Sequence, residues 1–207
     1  MIGRFLGLLD PLEPRKGLLF GEATNGNVTQ YLKAHGDAID LRSRIKWCKQ
    51  AAEGISHCHA RGVLHCDLRP DNMLLNGNLD LSLCDFGGSE NAEHKGEGLP
   101  DYGFFDPRDE NIEVSEATEV FGLGSSMYVF MTGHLPHGST TMTTAAYAYV
   151  ENFGRLLRMD ELPDTAALMG GDIITRCWTR EIKSAREVYA CYSELEKQMG
   201  LDGIEVP

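Results

Sequence analysis

The stretch His65-Cys66-Asp67-Leu68-Arg69-Pro70-Asp71-Asn72, with Asp85-Phe86-Gly87 shortly after it, is the most informative part of this chain. It brings the carboxylates of Asp67 and Asp85 and the carboxamide of Asn72 into one short region rich in loop-forming residues. Oxygen ligands of this kind suit Mg²⁺ and bound phosphates, and they suit zinc poorly. Phosphoryl transfer needs such a set, because the phosphate charge must be neutralised and the attacking hydroxyl must be positioned.

Composition bounds the class of protein. The 207 residues are 42% hydrophobic and 24% charged, as in soluble globular domains. The formal net charge of −12 argues against a nucleic-acid partner, and no apolar run approaches the ~20 residues of a membrane span. The six cysteines include no CxxC pair, which favours reduced thiols and a cytoplasmic location. They are Cys48, Cys58, Cys66, Cys84, Cys177 and Cys191.

The first part of the chain predicts a hairpin followed by two helices. Two short apolar stretches, 3–9 and 17–22, flank a turn-rich link and are typical of paired strands. A short helix is predicted over Val28 to Lys33. A longer helix is predicted next, because apolar residues recur at intervals of three and four. It ends at Arg61-Gly62. Its apolar face consists of Ile45, Cys48, Ala52, Ile55 and His59.

The second half predicts a long functional loop and further helices. Residues 88–111 have almost no periodicity, and loops of this length inside compact domains are usually functional. A helix of about 14 residues then ends at Thr132-Gly133 and is expected to be buried at the centre. Its stripe is Val120, Leu123, Met127 and Phe130. With helices also over Ile173–Trp178 and Ala185–Gln198, the fold class is α+β, mainly α-helical with a few short antiparallel strands.

The stretch 65–72 resembles the catalytic loop HRDLKPEN of eukaryotic-type protein kinases, and Asp85-Phe86-Gly87 resembles the DFG motif of that family at the expected distance. Further motifs follow in family order over nearly the whole chain. Residues 119–124 are similar to the DVWSFG sequence that opens the central helix, residues 131–136 to MLTGxxP, and Cys177-Trp178 to the late CW element. The resemblance implies a protein-kinase-like fold, ATP and Mg²⁺ as cofactors, and a protein substrate.

The same resemblance assigns the reacting side chains. Asp67 would orient the substrate hydroxyl and accept its proton, while Asn72 and Asp85 would hold Mg²⁺ against the ATP phosphates. Arg69 stands where the family usually has lysine and would touch the γ-phosphate with a different fork geometry. We refer to residues 65–72 as the catalytic loop and to residues 85–108 as the activation segment.

The resemblance also assigns the nucleotide side of the site. Phe20 stands at the gatekeeper position, the backbone from Gly21 to Ala23 would hydrogen-bond the adenine, and Leu74 would form its floor. Residues 1–22 would then be a remnant of the small lobe, with two strands and the hinge. Residues 23–207 would be the large lobe, with the catalytic loop, the activation segment and the later helices.

Several positions depart from the family pattern. Cys66 replaces the arginine that reads an activation-segment phosphate in many members, so a phosphate on Ser89 or Tyr102 would lack a cationic partner there. Asp101 falls where serine/threonine kinases usually have threonine. Asp106-Pro107-Arg108 replaces Ala-Pro-Glu, and this suggests a charge-inverted, partly buried ion pair of Arg108. Its expected partner is Glu187 or Glu181.

The parts that grip ATP from above have no counterpart in the 207 residues. These are the glycine-rich loop, the strand lysine and the helix glutamate that holds the lysine. We therefore expect no measurable kinase activity from these residues alone, since the phosphates would be fixed from one side only. Pro70 resembles serine/threonine kinases, whereas the CW element resembles the tyrosine-kinase-like branch, and the serine/threonine type is expected.

Two other functions stay open. A catalytically silent, kinase-like binding or regulatory module would fit the missing lysine, whereas the intact Asp67, Asn72 and Asp85 argue against it. An aminoglycoside-type small-molecule kinase shares an HxDxxxxN loop, but the DFG, GLG and CW elements disfavour it.

A zinc site is not expected, although histidines and cysteines cluster between residues 57 and 66. Their spacing matches no common zinc pattern, and helical geometry points His57 and Cys58 away from His59. Because His59 continues the apolar face of its helix, a buried and hydrogen-bonded histidine is expected instead.

Overall fold

The computed structural model describes residues 5–8, 17–98, 100–101, 103–106, 108, 113–138, 155 and 161–200. Two small antiparallel sheets and a larger helical part make up this described chain. The predicted α+β class, mainly helical with a few short strands, is confirmed.

Each sheet is a two-stranded hairpin. The first pairs β1 (Phe5–Leu8) with β2 (Leu18–Phe20), and the second pairs β3 (Met73–Leu75) with β4 (Leu81–Leu83). Alternate side chains of β3 and β4 are buried, because one face of this hairpin packs on the core. The β1–β2 hairpin instead exposes apolar side chains, namely Leu6, Leu18, Leu19 and Phe20.

Five α-helices have bounds within the described residues, and polar side chains cap four of their starts. Asp40 accepts a hydrogen bond from the Ser43 amide at 2.6 Å, and Ser184 accepts one from the Glu187 amide at 3.3 Å. Such caps satisfy amides that have no partner within the helix. The helices are α1 (Val28–His35), α2 (Leu41–His59), α3 (Glu116–Thr132), α4 (Gly171–Trp178) and α5 (Ala185–Gln198).

Helix α3 is the central helix, as expected from its apolar stripe. All four stripe residues are fully buried, and the helix ends at Gly133 in the left-handed region, at φ 77°. It has 17 residues, more than the stripe predicts, because its first turn is polar. Ser115 and Thr118 form a capping box there, which satisfies the first amides of the helix.

Two glycines let other segments approach α3 closely. A Cβ on Gly122 would lie 2.6 Å from the Phe104 carbonyl oxygen, and one on Gly124 would lie 2.7 Å from the Cys177 Cβ. Neither distance is possible for a real side chain, so the activation segment and α4 rest directly on the α3 backbone.

Large aromatic side chains fill the core between α2, α3, α4 and α5. Trp47 meets Phe130 edge to face with ring centroids 6.3 Å apart, a preferred arrangement of aromatic pairs. Trp178 is buried and donates its indole hydrogen to the Ser125 hydroxyl at 3.0 Å. Within the described ranges, none of the helices combines the length and apolar character that a bilayer crossing requires.

Candidate active site

The β3–β4 hairpin brings Asn72 close to Asp85. Met73 pairs with Leu83, and one residue beyond the strands the Cys84 amide donates to the Asn72 carbonyl oxygen at 3.0 Å. Asp85 follows directly, with an exposed side chain and a left-handed backbone at φ 59°. Aspartate adopts this region more readily than most residues. Both expected metal ligands therefore lie at the same end of the sheet.

Asn72 also fixes Asp67. Its side chain is largely buried, and Nδ2 donates to the backbone oxygen of Asp67 and to its Oδ2, both at 2.8 Å. A 3₁₀ turn over Pro70–Asn72 makes this contact possible, because the proline fixes the start of the turn. With both amide hydrogens of Asn72 engaged, Oδ1 is the atom that could ligate a cation.

The donor set fits Mg²⁺ held together with phosphates. Among the described residues, no three His, Cys, Asp or Glu side chains are placed to hold a metal ion by themselves. Mg²⁺ in nucleotide sites needs fewer protein ligands, since one or two carboxylates suffice beside phosphate oxygens and water. Asp85 and the Oδ1 atom of Asn72 meet that requirement.

His65 links the catalytic loop to the start of the activation segment. It is completely buried, and its Nε2 lies 2.8 Å from the Cys84 carbonyl oxygen. A carbonyl can only accept, so Nε2 carries the proton. The imidazole also packs on the Phe86 ring, with centroids 4.7 Å apart. Asp85 is therefore flanked on both sides by residues that contact His65.

A buried carboxylate on α3 binds the backbone of the catalytic loop. Glu119, in the first turn of α3, accepts the Cys66 amide hydrogen at Oε1 and lies beside His59 Nε2 at Oε2, both at 2.7 Å. Its side chain is 3% exposed and that of His59 is 6% exposed. The helix N-terminus favours a negative charge at this position. Glu119 thus ties the loop, α2 and α3 together.

Cys66 is held in a strained conformation and is chemically inert. Its φ of 67° is left-handed, which costs free energy in a residue other than glycine and persists only where contacts enforce it. Burial and the nearby Glu119 carboxylate raise the pKa of Cys66 to about 11. The thiol is therefore protonated at neutral pH, and it does not act as a nucleophile.

Arg69 connects the catalytic loop to the activation segment. Its Nη1 donates to Asp101 Oδ2, and its Nε lies 3.8 Å from Asp71 Oδ2. Asp71 itself accepts a hydrogen bond from the Thr29 hydroxyl at 3.0 Å. The guanidinium therefore lies between the carboxylates of Asp101 and Asp71.

The expected adenine-binding segment is fastened to β3. The Asn25 amide donates to the Leu75 carbonyl oxygen at 3.0 Å, and the Leu75 amide donates to that of Gly26 at 2.9 Å. Leu74, the expected floor, therefore lies beside the segment that follows Ala23. The other nucleotide-side residues, Phe20 and Gly21, are exposed at the end of β2 and just after it.

Comparison with known families decides the classification. The family model described as protein kinase domain matches residues 12–186. This chain belongs to the protein kinase domain family.

Individual kinases show the same relationship. The chain is 32% identical over 128 residues to CBL-interacting protein kinase 24 of Oryza sativa subsp. japonica, covering 58% of this chain and 28% of that protein. It is 30% identical over 126 residues to the serine/threonine-protein kinase SIK3 homolog of Danio rerio, covering 58% and 10%. It is 29% identical over 140 residues to serine/threonine-protein kinase SIK1 of Rattus norvegicus, covering 65% and 18%. The matched region is thus less than a third of each of these kinases.

The charge-inverted pair expected for Arg108 in this kinase domain is wrong. Arg108 donates from Nε and Nη2 to the two carboxylate oxygens of Asp106, at 2.8 and 2.7 Å. Arg180 donates from Nε to the same Asp106 at 2.8 Å. The carboxylate stands two residues before the position from which we inferred the inversion, so one buried anion serves both arginines.

The two glutamates proposed as partners of Arg108 have other neighbours. Glu187 lies in the first turn of α5 and accepts a hydrogen bond from the Ser184 hydroxyl at 2.9 Å. Glu181 lies 3.9 Å from Arg176. Both glutamates thus contact residues close to them in the sequence, at the ends of helices, and neither contacts Arg108.

Sequence reasoning assigned no role to Glu119, His65 or Asp106. Each has a contact at least nineteen positions away that no local pattern indicates, although Asp106 also binds Arg108 two residues further on. The motif resemblance at 119–124 was the available signal for Glu119. The expectation for His59 is confirmed, because it is buried and hydrogen-bonded to that carboxylate.

Asp106 provides a test of how the activation segment is attached. Asp106→Asn removes a buried charge that two arginines share, and we expect a loss of about 1.5–3 kcal/mol in unfolding free energy. This is below the roughly 3–5 kcal/mol of a fully buried pair, because both guanidinium groups reach solvent. Asp172→Asn is the matched control at an exposed position, expected within about 0.5 kcal/mol. Denaturant unfolding measures both.

The same substitution has a defined pH dependence. Burial raises the pKa of Asp106, but the hydrogen bonds from Arg108 and Arg180 outweigh it and leave the pKa below its usual range. A depressed pKa contributes stability that is complete above the unfolded-state value of about 3.9 and is lost as pH falls through the folded value. The two proteins should therefore differ fully at neutral pH and converge in acid. A difference that stays constant down to acid pH would contradict the assignment.

Proposed function

We propose that this kinase domain transfers the γ-phosphate of ATP to a serine or threonine hydroxyl of a protein, with Mg²⁺ as cofactor. The observation that carries the proposal is the position of Asn72, which hydrogen-bonds to Asp67 and pairs through its backbone with the residue before Asp85. These contacts support a site in which Asp67 would accept the hydroxyl proton and Asn72 and Asp85 would ligate the cation. Two of the similar kinases bear the name serine/threonine-protein kinase.

Asp67 is the proposed proton acceptor. Its Oδ2 is occupied by the Asn72 amide, so the other carboxylate oxygen is the one that receives the substrate hydroxyl proton. Asn72 Oδ1 and the Asp85 carboxylate hold the Mg²⁺ ion, which neutralises phosphate charge when bound. Because Asn72 is hydrogen-bonded to Asp67 and would also ligate the cation, it would help to position the hydroxyl relative to the phosphate.

The remaining proposed contacts involve the nucleotide. Arg69 donates to the γ-phosphate, since a guanidinium can bind two oxygens at once. The backbone between Gly21 and Ala23 hydrogen-bonds the adenine, Phe20 closes its inner edge, and Leu74 packs against its face. ATP and a protein substrate are the proposed partners, and the cytoplasm is the proposed location.

We also propose a division of labour along the chain. Residues 1–22 contribute two strands of the small lobe and the hinge, and residues 23–207 carry the catalytic loop, the activation segment and the helices that support them. The exposed apolar side chains of the β1–β2 hairpin are consistent with a small-lobe element that has further packing partners.

A polypeptide of these 207 residues should bind ATP in a Mg²⁺-dependent way but transfer no phosphate. Asp67, Asn72 and Asp85 are present to contact the nucleotide and Mg²⁺ from the large lobe, whereas the glycine-rich loop and strand lysine are not in the sequence. Calorimetry should show that Asp85→Asn weakens ATP binding by about tenfold or more. A radiolabelled transfer assay should give no signal above an Asp67→Asn blank.

The two measurements separate the alternatives. Phosphate transfer well above the blank would show that the 207 residues suffice for catalysis and that the predicted inactivity is wrong. An ATP affinity that changes neither with Mg²⁺ nor with Asp85→Asn would favour a silent binding module over a kinase. Glu93→Gln, at an exposed position of the activation segment, is the matched control for loss of one negative charge.

Uncharged contacts close the activation segment. Leu64 and Glu90 exchange two backbone hydrogen bonds of 2.9 Å, and the Gly98 amide donates to the Gly88 carbonyl oxygen at 3.0 Å. A Cβ on Gly96 would lie 2.9 Å from the Cys66 sulfur, so the segment packs directly on the residue that replaces the family's arginine. These contacts support the proposal that the segment needs no phosphate to reach the catalytic loop.

In an active form containing these residues, phosphatase treatment should leave turnover unchanged. Ser89 already donates its hydroxyl hydrogen to the His65 carbonyl oxygen at 3.1 Å, so a phosphate there would break a contact rather than make one. Tyr102 lies outside the described residues. The check is turnover before and after treatment, with phosphate removal verified by mass spectrometry. Loss of turnover on dephosphorylation would refute this expectation.

A further inference from the structure

Arg69 is pinned at one end of its guanidinium only. Nη1 donates to Asp101 Oδ2, whereas Nε is shielded from solvent and has no hydrogen-bond partner. No described residue accepts a hydrogen bond from Nη2 either. Nε and Nη2 form the side-on edge of the guanidinium, which is the edge that binds two oxygens of a phosphate or carboxylate in parallel.

The nearest anion to that edge does not satisfy it. Asp71 Oδ2 lies 3.8 Å from Nε, too far for a hydrogen bond. The same oxygen accepts the Thr29 hydroxyl hydrogen at 3.0 Å, which holds it back on the α1 side. The edge therefore carries two donors, two residues along the chain from Asp67, that lack an acceptor among the described residues, and an unpaired shielded donor is costly.

We propose that Asp101 is a positioning residue for Arg69, holding the guanidinium by Nη1 so that its Nε/Nη2 edge faces an oxygen of the transferred phosphate. This rests on the proposed function and adds a residue of the activation segment to it. Arginine has many side-chain conformers, and a fixed anion at one end removes most of them before the phosphate arrives. A lysine at this position donates from a single nitrogen and lacks the planar fork that can hold a carboxylate at one nitrogen and a phosphate at the other two.

Asp101 is itself fixed from the segment side. The Phe104 amide donates to the Asp101 carbonyl oxygen at 3.0 Å, and the Phe104 carbonyl rests on the Gly122 backbone of α3. A turn anchored on the central helix thus presents the carboxylate. The position of the activation segment is thereby coupled to the orientation of Arg69.

The test is the ratio of ATP to ADP affinity in the presence of Mg²⁺, measured by calorimetry on the 207-residue chain. Only ATP carries the phosphate that the Nε/Nη2 edge would bind, so the ratio isolates that contact. Asp101→Asn and Arg69→Ala should each lower the ratio by about threefold to tenfold, and the double variant should lower it no further. Asp101→Glu should restore most of it, and Glu97→Gln, an exposed position on the same segment, should leave it unchanged.

The outcomes distinguish this proposal from the proposed function. Nucleotide binding that is present and Mg²⁺-dependent, but with a ratio unaffected by Asp101→Asn, would overturn the role of Asp101 alone. Equal weakening of ATP and ADP would show a merely structural contact and would also overturn it. Absence of nucleotide binding in the unsubstituted chain would overturn the proposed function and this inference together.

Discussion

The arrangement of the site depends on one buried carboxylate. Glu119 receives the Cys66 amide and contacts His59 from the first turn of α3. Burying a charge is costly unless it is fully hydrogen-bonded, and here a backbone amide, an imidazole and a helix N-terminus share that task. Because Cys66 has an unfavourable backbone conformation, the loop would relax without this anchor, and Asp67 next to it would move.

The activation segment is attached by close packing in its first part and by charge in its last part. Asp101 meets Arg69 of the catalytic loop, while Asp106 binds two arginines near the end of α4. Between Gly88 and Gly98 the chain doubles back on itself and packs on Cys66. A kinase domain with a small residue at that position can thus hold its segment in place through backbone hydrogen bonds and van der Waals contact.

Much of the fold could be predicted because apolar periodicity and helix-end residues are local features of the sequence. The stripes of α2 and α3 and the hairpin at β1–β2 are of this kind. The candidate site residues Asp67, Asn72 and Asp85 were proposed from motif order, which gave no geometry. The partner of Arg108 was predicted wrongly. Alignment with the family's Ala-Pro-Glu motif suggested an inverted ion pair with a distant glutamate, whereas Asp106, two residues before Arg108, binds it instead. Long-range contacts of Glu119 and His65 have no periodic signature at all.

The exchange rate of the Cys66 amide hydrogen tests the anchoring role of Glu119 most directly. Glu119→Ala leaves that amide unpaired, whereas Glu116→Ala removes an exposed carboxylate from the same helical turn. We predict exchange at least about tenfold faster in Glu119→Ala, with a smaller change at Tyr192 in α5 and no change at Cys66 in Glu116→Ala. Exchange at Cys66 that is unchanged in Glu119→Ala, or that rises no more than at Tyr192, would contradict the account.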